Sequence, residues 1–187
     1  MTTQRKSSKE LKQLFCQREP PGDWEASAWR NEREHAFGDY WRRRLEDHAE
    51  PLSPEEVAQV LFYTELETAF GVLGDAARLN LLSLQQCADL VADRELDRFP
   101  KATWAKGELE LRLVANRLLQ ETNLDTRRGL LNEVLHQKRY WPLEFILNQL
   151  TQDELSYCEQ ALADRSVLTK NTREQARQAI RRIRKQA

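Results

Sequence analysis

The sequence predicts an all-α fold, a single-domain bundle of about seven helices joined by short antiparallel connections. Its 28 leucines outnumber the ten valines and isoleucines taken together, and this balance favours helices over pleated strands. Helix-capping motifs recur along the chain, whereas alternating apolar and polar runs bounded by hairpin signals do not occur. The length of 187 residues suits one domain with a substantial core.

The first half of the chain carries the clearest helix start. Residues 53–56, Ser-Pro-Glu-Glu, combine an N-cap serine, a proline in the first turn and a glutamate three residues after the cap. We expect this helix to run to Gly74 as its C-terminal cap, and Asp75 to cap a helix that runs towards Phe99 and Pro100. Because the apolar residues of 78–91 spread around the whole helix, we place that stretch at the centre of the bundle.

The second half of the chain contains several shorter helical patterns. Residues 151–154, Thr-Gln-Asp-Glu, form a second capping box. The expected helices run from Ala102 or Thr103 to Leu119, from Asp125 to His136, from Pro142 to Leu150, from Thr151 to about Ala163, and from Asn171 or Thr172 onward.

Charge divides the chain into three predicted segments. Residues 1–22 carry five basic and two acidic side chains and are expected to form a basic, partly ordered segment. Residues 23–168, with 17 basic and 27 acidic side chains, are the predicted bundle domain. Residues 169–187, with seven basic and one acidic, are the predicted basic C-terminal helix.

Several classes of protein are disfavoured by composition. The sequence has no apolar stretch of about 18 residues and no apolar run behind its basic N-terminus, so we predict no membrane span and no signal peptide. Cys16, Cys87 and Cys158 lie far apart, as expected of reduced thiols rather than of a disulfide scaffold or a metal site. These features predict a cytoplasmic protein without a cofactor.

An aromatic cluster is the main functional signal. Five of the 15 aromatic residues lie within 24–45, and four of them share one broad helical face flanked by arginines. Such a face either packs in the core or, partly exposed, binds a protein partner. Our leading hypothesis is a non-enzymatic interaction protein, a regulator, adaptor or chaperone-like factor. Its predicted partner-binding residues are Trp24, Trp29, Arg33, Phe37, Tyr40, Trp41 and Arg44.

The last helix predicts an alternative function, nucleic-acid binding. Its basic residues share one arc beside an apolar strip of Ala176, Ala179, Ile180 and Ile183, so the helix could dock by the strip and offer its cations to phosphates. The predicted nucleic-acid-binding residues are Arg173, Arg177, Arg181, Arg184 and Lys185.

Two histidine motifs raise the question of catalysis. Glu32 and His35, like Glu133 and His136, have the Glu-x-x-His spacing of carboxylate di-iron bundles, but they lie off the apolar faces, so we predict no metal site.

Arg30 and His35 are also spaced as in the Arg-x(4–6)-His motif, and Arg43 and His48 repeat that spacing. The segment resembles the HEPN family of helical-bundle nucleases. That resemblance implies RNA cleavage at a site shared across a dimer, a further alternative. We find no phosphate-binding loop or nucleophile elbow and predict that the protein is not an enzyme, with a homo-oligomer left open.

Overall fold

The computed structural model describes residues 6–17, 19–20, 22, 25–47, 50–137 and 139–186. These residues form ten α-helices and no strand, which confirms the all-α class and shows that the predicted count of seven helices was wrong. The helices are α1 (Ser8–Cys16), α2 (Ala26–Asp47), α3 (Pro54–Phe62), α4 (Thr68–Arg78), α5 (Leu84–Ala92), α6 (Ala102–Gln120), α7 (Leu124–His136), α8 (Trp141–Leu147), α9 (Gln152–Ala161) and α10 (Lys170–Gln186). A 3-10 helix, Arg94–Arg98, lies between α5 and α6.

The chain divides into two compact units, residues 1–109 and 110–187, with the boundary inside α6. The first unit carries 15 basic and 20 acidic side chains, and the second carries 14 basic and 10 acidic. The boundary between these units differs from the boundaries of the predicted segments 1–22, 23–168 and 169–187. The three-segment organisation stays a prediction.

The first unit is built around α2. Helices α1 and α4 pack against α2, and α3 packs against α4. The largest fully buried side chains of this unit are Phe15, Phe37, Trp41, Leu66, Phe70, Leu73 and Leu109. The aromatic face of α2 is therefore a core face.

A turn at residues 63–67 separates α3 from α4, where we expected one helix to continue to Gly74. The start at Ser53 is confirmed, since its hydroxyl accepts the amide of Glu56 and the Glu56 carboxylate accepts the amide of Ser53. The new start of α4 is capped from elsewhere. The carboxylate of Glu34, on α2, accepts the amides of Glu67 at 2.8 Å and Thr68 at 3.1 Å. A side chain 33 residues away thus satisfies the first amides of α4.

Helix α4 runs to Arg78, and the left-handed residue of its C-terminal cap is Asn80 rather than Gly74. Asn80 has a φ of 61°, and the amide of Leu81 donates to the carbonyl of Ala76 at 2.8 Å, the bonding pattern of a Schellman cap. Asp75 lies inside α4, and the next helix is capped by Ser83. The placement of 78–91 as one central helix was also wrong, since α5 begins at Leu84 and Leu79 is 54% exposed.

Gly74 allows the ring of Trp104 to pack closely against α4. A Cβ built on Gly74 would lie 2.4 Å from the ring of Trp104, whereas a Cβ on Gly71, in the same helix, would meet nothing within 4 Å. We expect Gly74→Ala to lower the free energy of unfolding by about 1–2 kcal/mol, because the indole must move. Gly71→Ala should raise it by about 0.5–1 kcal/mol through helix propensity. Urea unfolding followed by circular dichroism measures both, and equal effects would contradict this account of Gly74.

The second unit buries its apolar side chains among α7, α8, α9 and α10. Helix α10 contributes Ala176 and Ile180, both fully buried, with Ala179 and Ile183 packed beside them. The predicted docking of α10 by its apolar strip is therefore confirmed.

An ion pair links α7 to the confirmed capping box of α9. Arg127 donates to both carboxylate oxygens of Glu154, at 2.6 and 3.1 Å, and to the carbonyls of Leu118 and Glu121 at the end of α6. Burial acts to raise the pKa of Glu154, but the hydrogen bonds from Arg127 and Thr151 hold it below its ordinary value. One guanidinium therefore joins three helices of the unit.

Candidate functional site

The predicted aromatic surface is largely interior. Trp29 is 5% exposed, Phe37 is 0% exposed and Trp41 is 1% exposed, whereas Tyr40 is half-buried. Trp24 lies outside the described residues. The hypothesis of a partly exposed apolar surface is wrong for the three buried side chains, because α1 and α4 pack on the helix that carries them.

The two arginines predicted beside this face contact the chain itself. Arg33 donates to the carbonyl of Phe15 from two nitrogens, at 3.3 and 3.2 Å. Arg44 donates to both carboxylate oxygens of Glu56, at 2.6 and 3.0 Å, and this hydrogen bond raises the pKa of Arg44. The guanidinium of Arg33 thus links α2 to α1, and that of Arg44 links α2 to α3.

Three of the five predicted phosphate-binding residues in α10 also have internal partners. Arg173 donates to the carbonyls of Arg165 and Leu168, at 2.7 and 2.8 Å. Arg177 donates to the carbonyl of Leu162 at 2.7 Å, and Arg184 donates to Glu159 at 2.6 Å. These contacts fix α10 and the residues before it, although charge remains at the surface because a carbonyl does not neutralise an arginine.

Besides Arg184, which pairs with Glu159, four basic side chains of α10 are exposed: Lys170, Arg181, Arg182 and Lys185. None of the four has an ion-pair partner in the described part of the chain. Burial and Glu144 raise the pKa of Tyr140, and the positive charge of Arg182 opposes that rise. Arg177, Arg181 and Lys185 follow one another at four-residue intervals, about 6 Å apart along the axis, and so form a row on one face.

A cationic groove of about 620 Å³ adjoins the start of this row. It contains four basic side chains and one carboxylate, and it is lined by Arg165, Lys170, Asn171, Arg173, Glu174 and Arg177. Of these, the sequence analysis selected only Arg173 and Arg177. Arg165 and Lys170 were missed because they precede the expected helix start at Asn171 or Thr172, and Arg182 was missed because the helical wheel was centred on one arc.

We call the exposed cations of α10 and the groove beside them the basic face. It consists of Arg165, Lys170, Arg173, Arg177, Arg181, Arg182 and Lys185. No large apolar side chain is exposed on the described part of α10, since Ile180 is buried and Ile183 is half-buried. The surface is therefore positively charged and polar.

The histidine motifs do not assemble a metal site. His35 and His136 are exposed, Glu32 pairs with Lys6, and His136 contacts the carbonyl of Asn132. Within the described ranges, no group of three His, Cys, Asp or Glu side chains could hold a metal ion. Arg30, the other member of the nuclease-like motif, donates to the carbonyl of Glu65 at 3.3 Å. His48 lies outside the described residues.

The fold and the basic face define an all-α protein of two helical units in which α10 carries the basic face. No protein-family model, no curated protein and no solved structure matches the chain. Across the residues that the structure describes, no helix combines the length and the apolar character needed to cross a bilayer.

Proposed function

We propose that this protein is a non-enzymatic nucleic-acid-binding protein and that the basic face of α10 is its binding surface. The observation that carries the proposal is the exposure of Lys170, Arg181, Arg182 and Lys185 without an ion-pair partner among the described residues. Exposed cations on one face attract a polyanion and release its counterions. The groove at the start of α10 extends the same positive surface.

The clustering of positive charge on α10 favours binding at this helix over non-specific attraction spread across the protein surface. Residues 170–186 hold seven basic and one acidic side chain, whereas the rest of the chain holds 22 basic and 29 acidic. A cationic helix on an otherwise acidic chain focuses the positive potential and orients an approaching polyanion.

The chemistry of the basic face favours a nucleic acid over a protein. Protein interfaces usually have an apolar core with aromatic residues, and such side chains are buried at the predicted aromatic surface. Interfaces with nucleic acids are polar and strongly positive, as this face is. A regulator or adaptor that binds a protein partner through residues 24–45 stays a prediction, with Trp29, Phe37 and Trp41 unavailable to it in this fold.

A charge-reversal variant tests the proposal. In Arg181→Glu/Arg182→Glu/Lys185→Glu, we expect affinity for a fluorescein-labelled DNA duplex or RNA strand to fall about 100-fold or more, since three phosphate contacts become repulsive. Fluorescence anisotropy at constant salt measures the change. All three side chains are exposed, so the fold should be retained, whereas deletion of residues 169–187 would also remove the buried Ala176 and Ile180.

The matched control carries the same change in charge in the first unit. Arg94, Arg98 and Lys101 have side chains that are 92%, 66% and 60% exposed, so Arg94→Glu/Arg98→Glu/Lys101→Glu should also fold. Affinity for nucleic acid should fall far less in this control than in the α10 variant. Equal losses would mean that binding follows net charge, and binding to an acidic protein but to no nucleic acid would also refute the proposal.

A further inference from the structure

The cationic groove at the start of α10 has the size and the charge of a site for a small anionic group. Its volume of about 620 Å³ lies within the range of pockets that bind ligands as large as a nucleotide. Four positive side chains and one carboxylate leave it a net charge of +3, and these residues are Arg165, Lys170, Arg173, Arg177 and Glu174. The groove therefore suits a ligand that carries more than one negative charge.

Two of these cations are held in place by the backbone. Arg173 donates to the carbonyls of Arg165 and Leu168, and Arg177 donates to the carbonyl of Leu162. A guanidinium has five N–H donors, so these bonds leave each arginine with donors for a ligand. Because carbonyls carry no net charge, both side chains stay cationic while their positions are restricted. An anion that binds to such preorganised side chains costs less conformational entropy.

The other two cations of the groove are accessible. The side chains of Arg165 and Lys170 are exposed, and neither has an ion-pair partner in the described part of the chain. The six described residues that line the groove include no aromatic ring, so none of them could stack on a base. The chemistry of the groove thus favours recognition of a phosphate rather than of a base.

The groove also lies at one end of the row of cations on α10. Arg177 lines the groove and is the first member of the row that continues with Arg181 and Lys185. The row provides about one cation per helical turn, whereas the groove gathers four. An internal phosphodiester carries a single negative charge, but a terminal phosphate monoester carries about −1.5 to −2 at neutral pH. The end of a phosphorylated strand therefore matches the denser charge of the groove.

We propose that this groove binds the terminal phosphate of a nucleic-acid strand whose following phosphates lie along Arg177, Arg181 and Lys185. The inference rests on the proposed function, since it assigns one part of the basic face to one part of the ligand. Capture of the terminal phosphate fixes the strand at the start of α10 and directs the rest of it towards the C-terminal end of the helix. The protein would then distinguish phosphorylated strand ends from hydroxyl ends.

Competition between strands that differ only in their ends tests this inference. Unlabelled single strands of one sequence, of DNA and in parallel of RNA, carry a 5′-phosphate, a 3′-phosphate or hydroxyls at both ends. They displace a fluorescein-labelled strand from the full-length protein at constant salt and neutral pH, followed by anisotropy. We expect at least one phosphorylated strand to bind about tenfold more tightly than the hydroxyl strand, through added charge-assisted hydrogen bonds. In Arg165→Ala/Lys170→Ala this preference should fall to about twofold or less, since half of the cations of the groove are removed.

The matched control is Arg181→Ala/Arg182→Ala, which removes the same charge from exposed side chains that do not line the groove. It should weaken the phosphorylated and hydroxyl strands by the same factor and keep the ratio of the wild type. All four replaced side chains are exposed, so both variants should give the circular dichroism of the wild type.

The outcomes separate this inference from the proposed function. Equal affinity of the wild type for all strands would overturn the inference alone, because nucleic-acid binding would remain. A preference that persists undiminished in Arg165→Ala/Lys170→Ala would also overturn it, since the terminal phosphate would then bind elsewhere. A protein that binds none of the strands would overturn both.

Discussion

Replacing Trp41 with alanine is expected to lower the free energy of unfolding by about 4 kcal/mol, a large part of the stability of an ordinary domain. The side chain is 1% exposed, and its ring centroid lies 6.2 Å from that of Phe37 and 5.4 Å from that of Tyr40. Its indole N–H has no hydrogen-bond partner in the described part of the chain, so the ring stabilises the fold by packing. Chemical unfolding followed by circular dichroism measures the loss.

Trp104→Ala is the control for this substitution, since it removes the same side chain from a position that is 39% exposed. Its cost should be less than half that of Trp41→Ala, because less apolar area leaves contact. If Trp41→Ala instead left stability within about 1 kcal/mol of the wild type, the aromatic face of α2 would not be core. The hypothesis of an exposed partner surface would then regain its support.

Arg127→Ala is expected to lower the free energy of unfolding by about 3 kcal/mol. The side chains of Arg127 and Glu154 are 13% and 14% exposed, so removal of the guanidinium leaves a largely buried carboxylate without its partner. The carbonyls of Leu118 and Glu121 lose a donor as well. Arg128→Ala should cost less than about 1 kcal/mol, because Arg128 is exposed and its contact among the described residues is a cation–π interaction with Tyr157.

The effect of Arg127→Ala should depend on pH. The pKa of Glu154 is lower in the folded protein than its ordinary value, so its contribution to stability is present above the unfolded-state pKa and is lost as pH falls through the folded-state pKa. The difference in stability between wild type and Arg127→Ala should therefore narrow on acidification. A difference that stayed constant from neutral to acidic pH would contradict the role assigned to this ion pair.

Features determined by neighbouring residues were predictable from the sequence. The capping boxes at Ser53 and Thr151 place donor and acceptor within four residues, and both helices begin where expected. Features determined by distant residues were not. The cap of α4 comes from Glu34 on α2, and Gly74 is required by Trp104, 30 residues later in the chain.

The candidate sites show the same limit. A helical wheel places Phe37 and Trp41 on one face but does not say what covers that face, and the covering residue, Phe15, lies in a segment expected to be only partly ordered. In α10 the wheel places five cations on one arc, yet long arginine side chains reach neighbouring acceptors. Arg173, Arg177 and Arg184 do so, and Lys170 and Arg182 complete the exposed positive surface instead.

The salt dependence of nucleic-acid affinity tests the central proposal most directly. If the basic face neutralises three or four phosphates of a DNA duplex, the logarithm of the association constant should fall with the logarithm of salt concentration with a slope of about −2.7 to −3.6. Affinity would then fall about 40- to 150-fold between about 50 and 200 mM salt, and the slope would approach zero in Arg181→Glu/Arg182→Glu/Lys185→Glu. A flat response in the wild type, or a slope unchanged in that variant, would contradict the assignment of α10 as the nucleic-acid-binding surface.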